Sequence, residues 1–264
     1  MKENALKNLN IPTIQKDELY TGYLLRLSVL NHLDTSDLKH VTDNQDLSKV
    51  KLLNDVYSIA DVMKPAMTAI DIYKNNTFYQ LKRYTLSKKN QEYTFQQIER
   101  SREKQFFHYF SDFIKSTNYC PYCAKEDINR IGSFYQRTYH NYPAVRACYK
   151  HECKLVSNTD DILSINPENA SNEAVSYAKW VYTISTFADI EPCCEKTQTV
   201  ISDKVQSCLL ELERTWPSQY LRYLQVAKYR FQKYTLNNQD LIYFMYLLWK
   251  DNIEEFHQMY KNIS

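Results

Sequence analysis

Two short knuckles govern what this chain can fold into. Cys120-Pro121-Tyr122-Cys123 and Cys148-Tyr149-Lys150-His151 each carry two metal-ligating side chains three positions apart. A tetrahedral ion needs two such turns, because each aims two donors at one point. Three sulfurs and one imidazole nitrogen, all from protein, make the closed donor set of a structural zinc site. The spacing therefore predicts one Zn2+ held by Cys120, Cys123, Cys148 and His151. C-x-x-C also serves redox chemistry, but a redox pair needs only two cysteines and leaves Cys148 and His151 unexplained. No βαβ pattern surrounds Cys120, and Pro121-Tyr122 reads as a tight knuckle with no helix start to lower a thiol pKa. With no position left open to water, the ion is a staple. Sites of this kind contribute on the order of 10–16 kcal/mol of apparent binding free energy to folding.

Between and around the knuckles the chain reads as helical. Only Gly22 and Gly132 are glycine in 264 residues, which disfavours a β-rich fold with its many positive-φ turns. It also excludes glycine-rich phosphate loops and dinucleotide fingerprints. Apolar residues make up 44% of the chain, enough for a sizeable core. The expected architecture is mostly α, in three regions: a helical N-terminal region (1–115), a zinc-knuckle subdomain (116–157) and a C-terminal helical bundle (158–264).

Residues 120–155 carry a longer pattern. It runs C-P-x-C-x-x-E-D, then G-x-x-Y-x-R-x-x-H-x-x-P-x-V, then C-x-x-H-x-x-x-L. The positions are Cys120, Pro121, Cys123, Glu126, Asp127, Gly132, Tyr135, Arg137, His140, Pro143, Val145, Cys148, His151 and Leu155. This pattern resembles the TniQ/TnsD family of transposon target-selection proteins. Gln136 stands where that family often has Trp, and Glu152 where it often has Gly. Glu18 to Leu27 is similar to the family's E-S-L-x-S-W-L-x-R-L, with Gly22 in place of a Ser. Asn75 to Tyr84 echoes a second family patch, with Asn76 in place of a His. The resemblance covers roughly residues 10–156 and implies a non-catalytic protein that passes a recognised target to the transposition machinery.

Along the chain, a helix is expected from a cap at Asp17, with Leu19, Tyr23, Leu27 and Leu30 on one face. Arg26 on it is open to a partner or to a local carboxylate. Two short helices near 47–62 and 65–75 are a candidate helix-turn-helix, which would read DNA through its second helix. Lys82, Arg83, Lys88 and Lys89, with Tyr79 and Tyr84 close by in sequence, suit phosphate contact with stacking; a solvated charged loop is the plainer reading. Apolar residues from Thr94 to Ile114 recur at helical spacing. Further helices are expected at 172–187, 199–214, 217–235 and 239–261, the last broken near Asp251. Arg222, Arg230 and Lys233 share a face of the third. Arg137 in the zinc region is another candidate nucleic-acid or partner contact. His140 is a fifth candidate ligand, read rather as a satisfied core or hydrogen-bonding histidine because it belongs to neither knuckle. Adjacent Cys193 and Cys194, with Cys153 and Cys208, are a weaker candidate for a second metal site, disfavoured because no knuckle spacing joins them, and they are left without a role.

No catalytic constellation is legible. A zinc deaminase also uses P-C-x-x-C but needs H-x-E upstream; His108-Tyr109-Phe110 has Phe where Glu must stand. The expectation is a non-enzymatic adaptor. The resemblance implies recruitment of the AAA+ ATPase TnsC to a recognised target. That target is either a guide-RNA effector complex (Cascade-like), as in CRISPR-associated transposons where the adaptor is often a dimer, or target DNA read directly. A zinc-stabilised transcription regulator is the third possibility. The chain's modest length favours the RNA-guided adaptor. Its formal net charge of +2 makes any nucleic-acid surface a local patch. The N-terminus lacks a signal-peptide h-region, and the longest apolar run, Leu241 to Trp249, is far short of a membrane span. Both point to a cytoplasmic protein.

Overall fold

Tyr20, Tyr23, Leu24 and Leu27 recur at helical spacing, and all four are buried in one cluster. They belong to helix α1, Tyr20–Leu30. In the computed structural model, the residues described are 10–32, 67–84, 88–100, 117–142, 144–157, 162–187, 242, 245–247 and 249–263. Among them the structure is helical, with isolated β-bridges and no extended strand. The expected helix at 47–62, and with it the helix-turn-helix, falls outside these residues.

Helix α1 begins three residues after Asp17. That side chain does not cap it; its Oδ1 accepts a 2.8 Å hydrogen bond from the Tyr135 hydroxyl instead. Helix α2 is Ala69–Asn75. Thr68 opens it with a full capping box: Thr68 Oγ1 accepts from the Asp71 N–H at 3.1 Å, and Asp71 Oδ2 accepts from the Thr68 N–H at 2.9 Å. Short helix α3 is Tyr79–Lys82 and helix α4 is Lys88–Arg100. Helix α5 is Pro121–Ile131, followed by a 3₁₀ turn at Thr138–His140. Helices α6, Asn172–Thr186, and α7, Ile253–Ile263, complete the described elements. Ahead of α7 the chain turns at Lys250 and Asp251, the break read in the sequence. Asn252 then caps α7 by accepting from the Glu255 N–H at 3.0 Å.

The chain divides into two compact units. The first comprises 1–80 and 92–178, the second 81–91 and 179–264. The knuckle segment thus shares a unit with the N-terminal helices. In the first unit Ile14, Tyr20, Tyr23, Leu24, Leu27, Ala69, Ile72, Tyr73, Tyr79 and Ile98 form the core. Buried Asn76 ties α1 to the end of α2 inside it, and buried Thr77 bonds back onto α2. Asn76 Nδ2 donates to the Glu18 carbonyl at 2.7 Å, while its own carbonyl accepts from the Tyr20 N–H at 2.7 Å. Thr77 Oγ1 donates to the Tyr73 carbonyl at 2.6 Å. Asn76-Thr77, a departure and a match in the family patch, is therefore a buried hydrogen-bonding hub.

In the second unit, aromatic rings gather about Phe256. Tyr84, Trp180 and Trp249 lie with ring centroids 5.3, 5.4 and 5.5 Å from it, and Trp180 packs edge-on to Tyr246. Such pairs add about 0.5–1.5 kcal/mol each beyond their buried area. Tyr84 also donates to the Ile184 carbonyl at 2.6 Å. Among the described residues no helix is long and apolar enough to cross a membrane.

Candidate metal centre

The first knuckle opens a helix. Cys120 is the N-cap of α5, Pro121 occupies the first helical position, and Gly132 ends the helix in the left-handed region at φ +78°. Proline inside the start and glycine past the end are a helix signature, and it was legible in the sequence. The expectation of a knuckle with no helix start is therefore corrected: Pro121, whose fixed φ suits a first turn, starts one. The second knuckle is a tight turn. The Cys148 carbonyl accepts from the Glu152 N–H at 2.9 Å, and Glu152 sits at φ +56°. That conformation favours glycine, which accounts for the glycine common at this position of the family pattern.

These turns bring the four donors together. Cys120, Cys123 and Cys148 Sγ and one His151 ring nitrogen all lie within 4.8 Å of one another. Metal–sulfur bonds of about 2.3 Å and metal–nitrogen bonds of about 2.05 Å in a tetrahedron space sulfur pairs about 3.8 Å apart, and sulfur–nitrogen pairs about 3.5 Å. The Cys123–Cys148 sulfurs are 3.8 Å apart. His151 Nδ1 is 3.4 Å from Cys120, 3.4 Å from Cys123 and 3.6 Å from Cys148. Donor chemistry and spacing both fit a tetrahedral ion bound by Nδ1.

Electrostatics point the same way. Close-packed thiols cannot all ionise without a cation. Thiol hydrogen bonds from Cys123, Cys148 and Cys153 draw Cys120 down strongly. Their counterpart is that sharing a proton with Cys120 pushes Cys123 and Cys153 up, and Cys148 to about 11. A bound divalent ion would let the ligand thiols ionise together. Outside the donors, Glu126 Oε1 lies 3.2 Å from His151 Nε2, and Glu126 Oε2 accepts from Lys150 Nζ at 2.5 Å. The Lys150 hydrogen bond, more than the imidazole, holds the Glu126 carboxyl below its ordinary range. This carboxylate–histidine arrangement fixes the tautomer that leaves Nδ1 free to ligate. Glu126 belonged to the family pattern, but its partner was not legible in the sequence.

Arg137 stands outside the centre and holds it to α1. Its guanidinium engages both oxygens of buried Asp127, one at 2.7 Å, and its Nε lies 3.4 Å from Asp17 Oδ2. It also stacks 4.4 Å over the Tyr135 ring. Backbone contacts run alongside: a Glu18–Arg137 bridge, Leu19 N–H to the Gln136 carbonyl at 2.8 Å, and Thr138 N–H to the Asp17 carbonyl at 2.8 Å. Gly22 belongs to this seam. A Cβ there would come within 2.6 Å of Gln136 Cβ, so two departures from the family pattern are direct neighbours. Arg26 turns inward as well; its Nε and Nη2 grip the Glu18 oxygens at 2.8 and 2.7 Å.

The named contact candidates separate accordingly. Arg137 is buried and taken by carboxylates, so its chemistry is scaffolding. Arg83 is also buried; it donates to the Ile184 and Phe187 carbonyls and lies over the Tyr84 ring. Tyr79 and Tyr84, expected to flank it as stacking rings, are core residues. Burial of apolar rings outweighs any exposed role here. Lys82, Lys88 and Lys89 lie on α3 and α4, while Arg222, Arg230 and Lys233 fall outside the described residues, as do Cys193, Cys194 and Cys208. His140 is buried and lies outside the four-donor set, with its Nε2 lacking a hydrogen-bond partner among the described residues.

A comparison with curated proteins found no match. A protein-family model named TniQ matches residues 10–155. That span covers more than half of the chain and includes α1, α2, the Arg137 seam and all four candidate ligands, so the chain belongs to the TniQ family, a family associated with target selection in transposition.

Proposed function

We propose that this protein is a non-catalytic target-selection adaptor. It links a target-recognition complex, a guide-RNA effector bound to DNA, to the AAA+ ATPase TnsC. The observation that carries the reading is the family match over residues 10–155. The centre supports a non-catalytic role, since four protein donors converge and complete a tetrahedron. We assign the ion as Zn2+, which three thiolates and one imidazole in tetrahedral array select. Near-balanced charge, a formal +2, favours docking on a protein–RNA assembly over direct reading of duplex DNA. Burial of Arg83 and Arg137 removes two cations from any phosphate surface. The remaining contact candidates are Lys82, Lys88, Lys89, Arg222, Arg230 and Lys233.

A tagged pull-down from the native host tests the adaptor, with mass spectrometry of the proteins and sequencing of the bound nucleic acid. Recovery of TnsC together with a guide-RNA complex is expected. Recovery of one duplex DNA sequence without guide RNA or TnsC would replace this reading with a direct DNA reader.

A further inference from the structure

A fifth thiol borders the four-donor set. Cys153 is buried, and its Sγ lies 3.5 Å from Cys120 Sγ. That separation is close to the sulfur–sulfur edge of about 3.8 Å in a tetrahedral site. Backbone pairing fixes it there. The Cys148 N–H donates to the Cys153 carbonyl at 2.9 Å, and the neighbouring residues Ala147 and Lys154 form an antiparallel bridge. Residues opposite one another in such a pair share a face, so Cys148 and Cys153 reach the same cluster with Cys120 and Cys123. In sequence, Cys148-x-x-His151 and Cys148-x-x-x-x-Cys153 both fall within the spacings that knuckles use. The two alternatives differ in exposure. Cys153 is 1% exposed and the His151 side chain 18%, so the imidazole is the donor nearest solvent.

We propose that Cys153 is a reserve ligand that replaces His151, converting the centre from three thiolates and an imidazole to four thiolates. This rests on the metal reading above. In the exchange the metal–Nδ1 bond of His151 breaks and a metal–Sγ bond to Cys153 forms. The Cys153 thiol proton passes to the freed Nδ1. No electrons are transferred, and the combined charge of the centre and His151 is unchanged. The centre thereby keeps its ion when its most exposed ligand is drawn away.

The test uses Co2+ titrated into the metal-free full chain, because sulfur-to-cobalt absorbance counts thiolates. His151→Ala is expected to bind one Co2+ per chain, within about tenfold of wild-type affinity, with that absorbance raised by about one third. Adding Cys153→Ser to it is expected to cost a further hundredfold or so. His151→Ala that binds no better than the double variant, or that keeps the absorbance of three thiolates, would overturn the proposal. If His151→Ala does not fold, Cys153→Ser alone decides. It should leave the cobalt spectrum unchanged and speed transfer of Co2+ to a competing chelator several-fold, because recapture by the fifth thiol is lost; an unchanged rate would overturn the proposal. Wild-type protein that takes up no Co2+ would sink the metal reading itself, and this proposal with it.

Discussion

Arg137 lies between two carboxylates, Asp127 and Asp17, and one aromatic ring. Removing its charge strands Asp127, which is buried and among the described residues retains only the exposed Arg130 at 3.6 Å. Breaking a buried pair from one side typically costs about 3–5 kcal/mol. Arg137→Met is accordingly expected to lose that much, read as a lower urea midpoint at unchanged slope. His140 gives a pH signature. Burial, aided by the nearby Arg137 charge, pushes its pKa from 6.5 down to about 3. Between those values the unfolded chain binds a proton that the folded chain refuses. Stability therefore falls as pH drops below about 6.5, by up to about 1.4 kcal/mol per pH unit, and does not respond to this group above that. His140→Phe keeps a ring against Tyr139 and removes the proton site. Its loss of stability from pH 6.5 to 5.0, measured by urea unfolding, should be smaller than the wild type's by about 1.5 kcal/mol.

The elements show what sequence can and cannot disclose. Both knuckles were legible because ligand chemistry restricts residue type and spacing so tightly. Helix α1 was legible from its period, although Leu30, expected on its apolar face, is exposed; α2 was legible only at its end, since the helix expected over 65–75 starts at Ala69 behind its Thr68 cap. The partners of the charged residues were not. Arg137 and Asp127 are ten positions apart, and Arg83 reaches carbonyls about a hundred positions away, so no local pattern announces that these cations are spent inside the fold. Tyr79 and Tyr84 misled for a related reason: a ring between lysines reads equally well as a stacking surface or as core. The second knuckle offers a test at this scale. Glu152 holds φ +56°, where a side chain is strained by about 1 kcal/mol relative to glycine. Glu152→Gly should raise the thermal midpoint by a few degrees, matching up to about 1 kcal/mol. An unchanged or lower midpoint would show that the turn carries no strain.

At the scale of the molecule, the knuckles do more than close a loop. Their segment carries the antiparallel bridge between Tyr119 and Val156 and the seam from Asp17 to Leu19 onto Gln136–Thr138. Binding of the proposed ion would thus be coupled to the packing of α1, and the first unit should melt with the metal rather than around it. On the proposed adaptor reading this matters, since a surface offered to two partners must keep its shape while both are engaged. The most direct measurement is the zinc content of the purified full chain by elemental analysis, followed by thermal unfolding before and after chelation. One zinc per chain is expected. Chelation, like Cys123→Ser, should abolish the cooperative transition. A chain purified without metal, or one that melts cooperatively at the same temperature after chelation, would contradict the account.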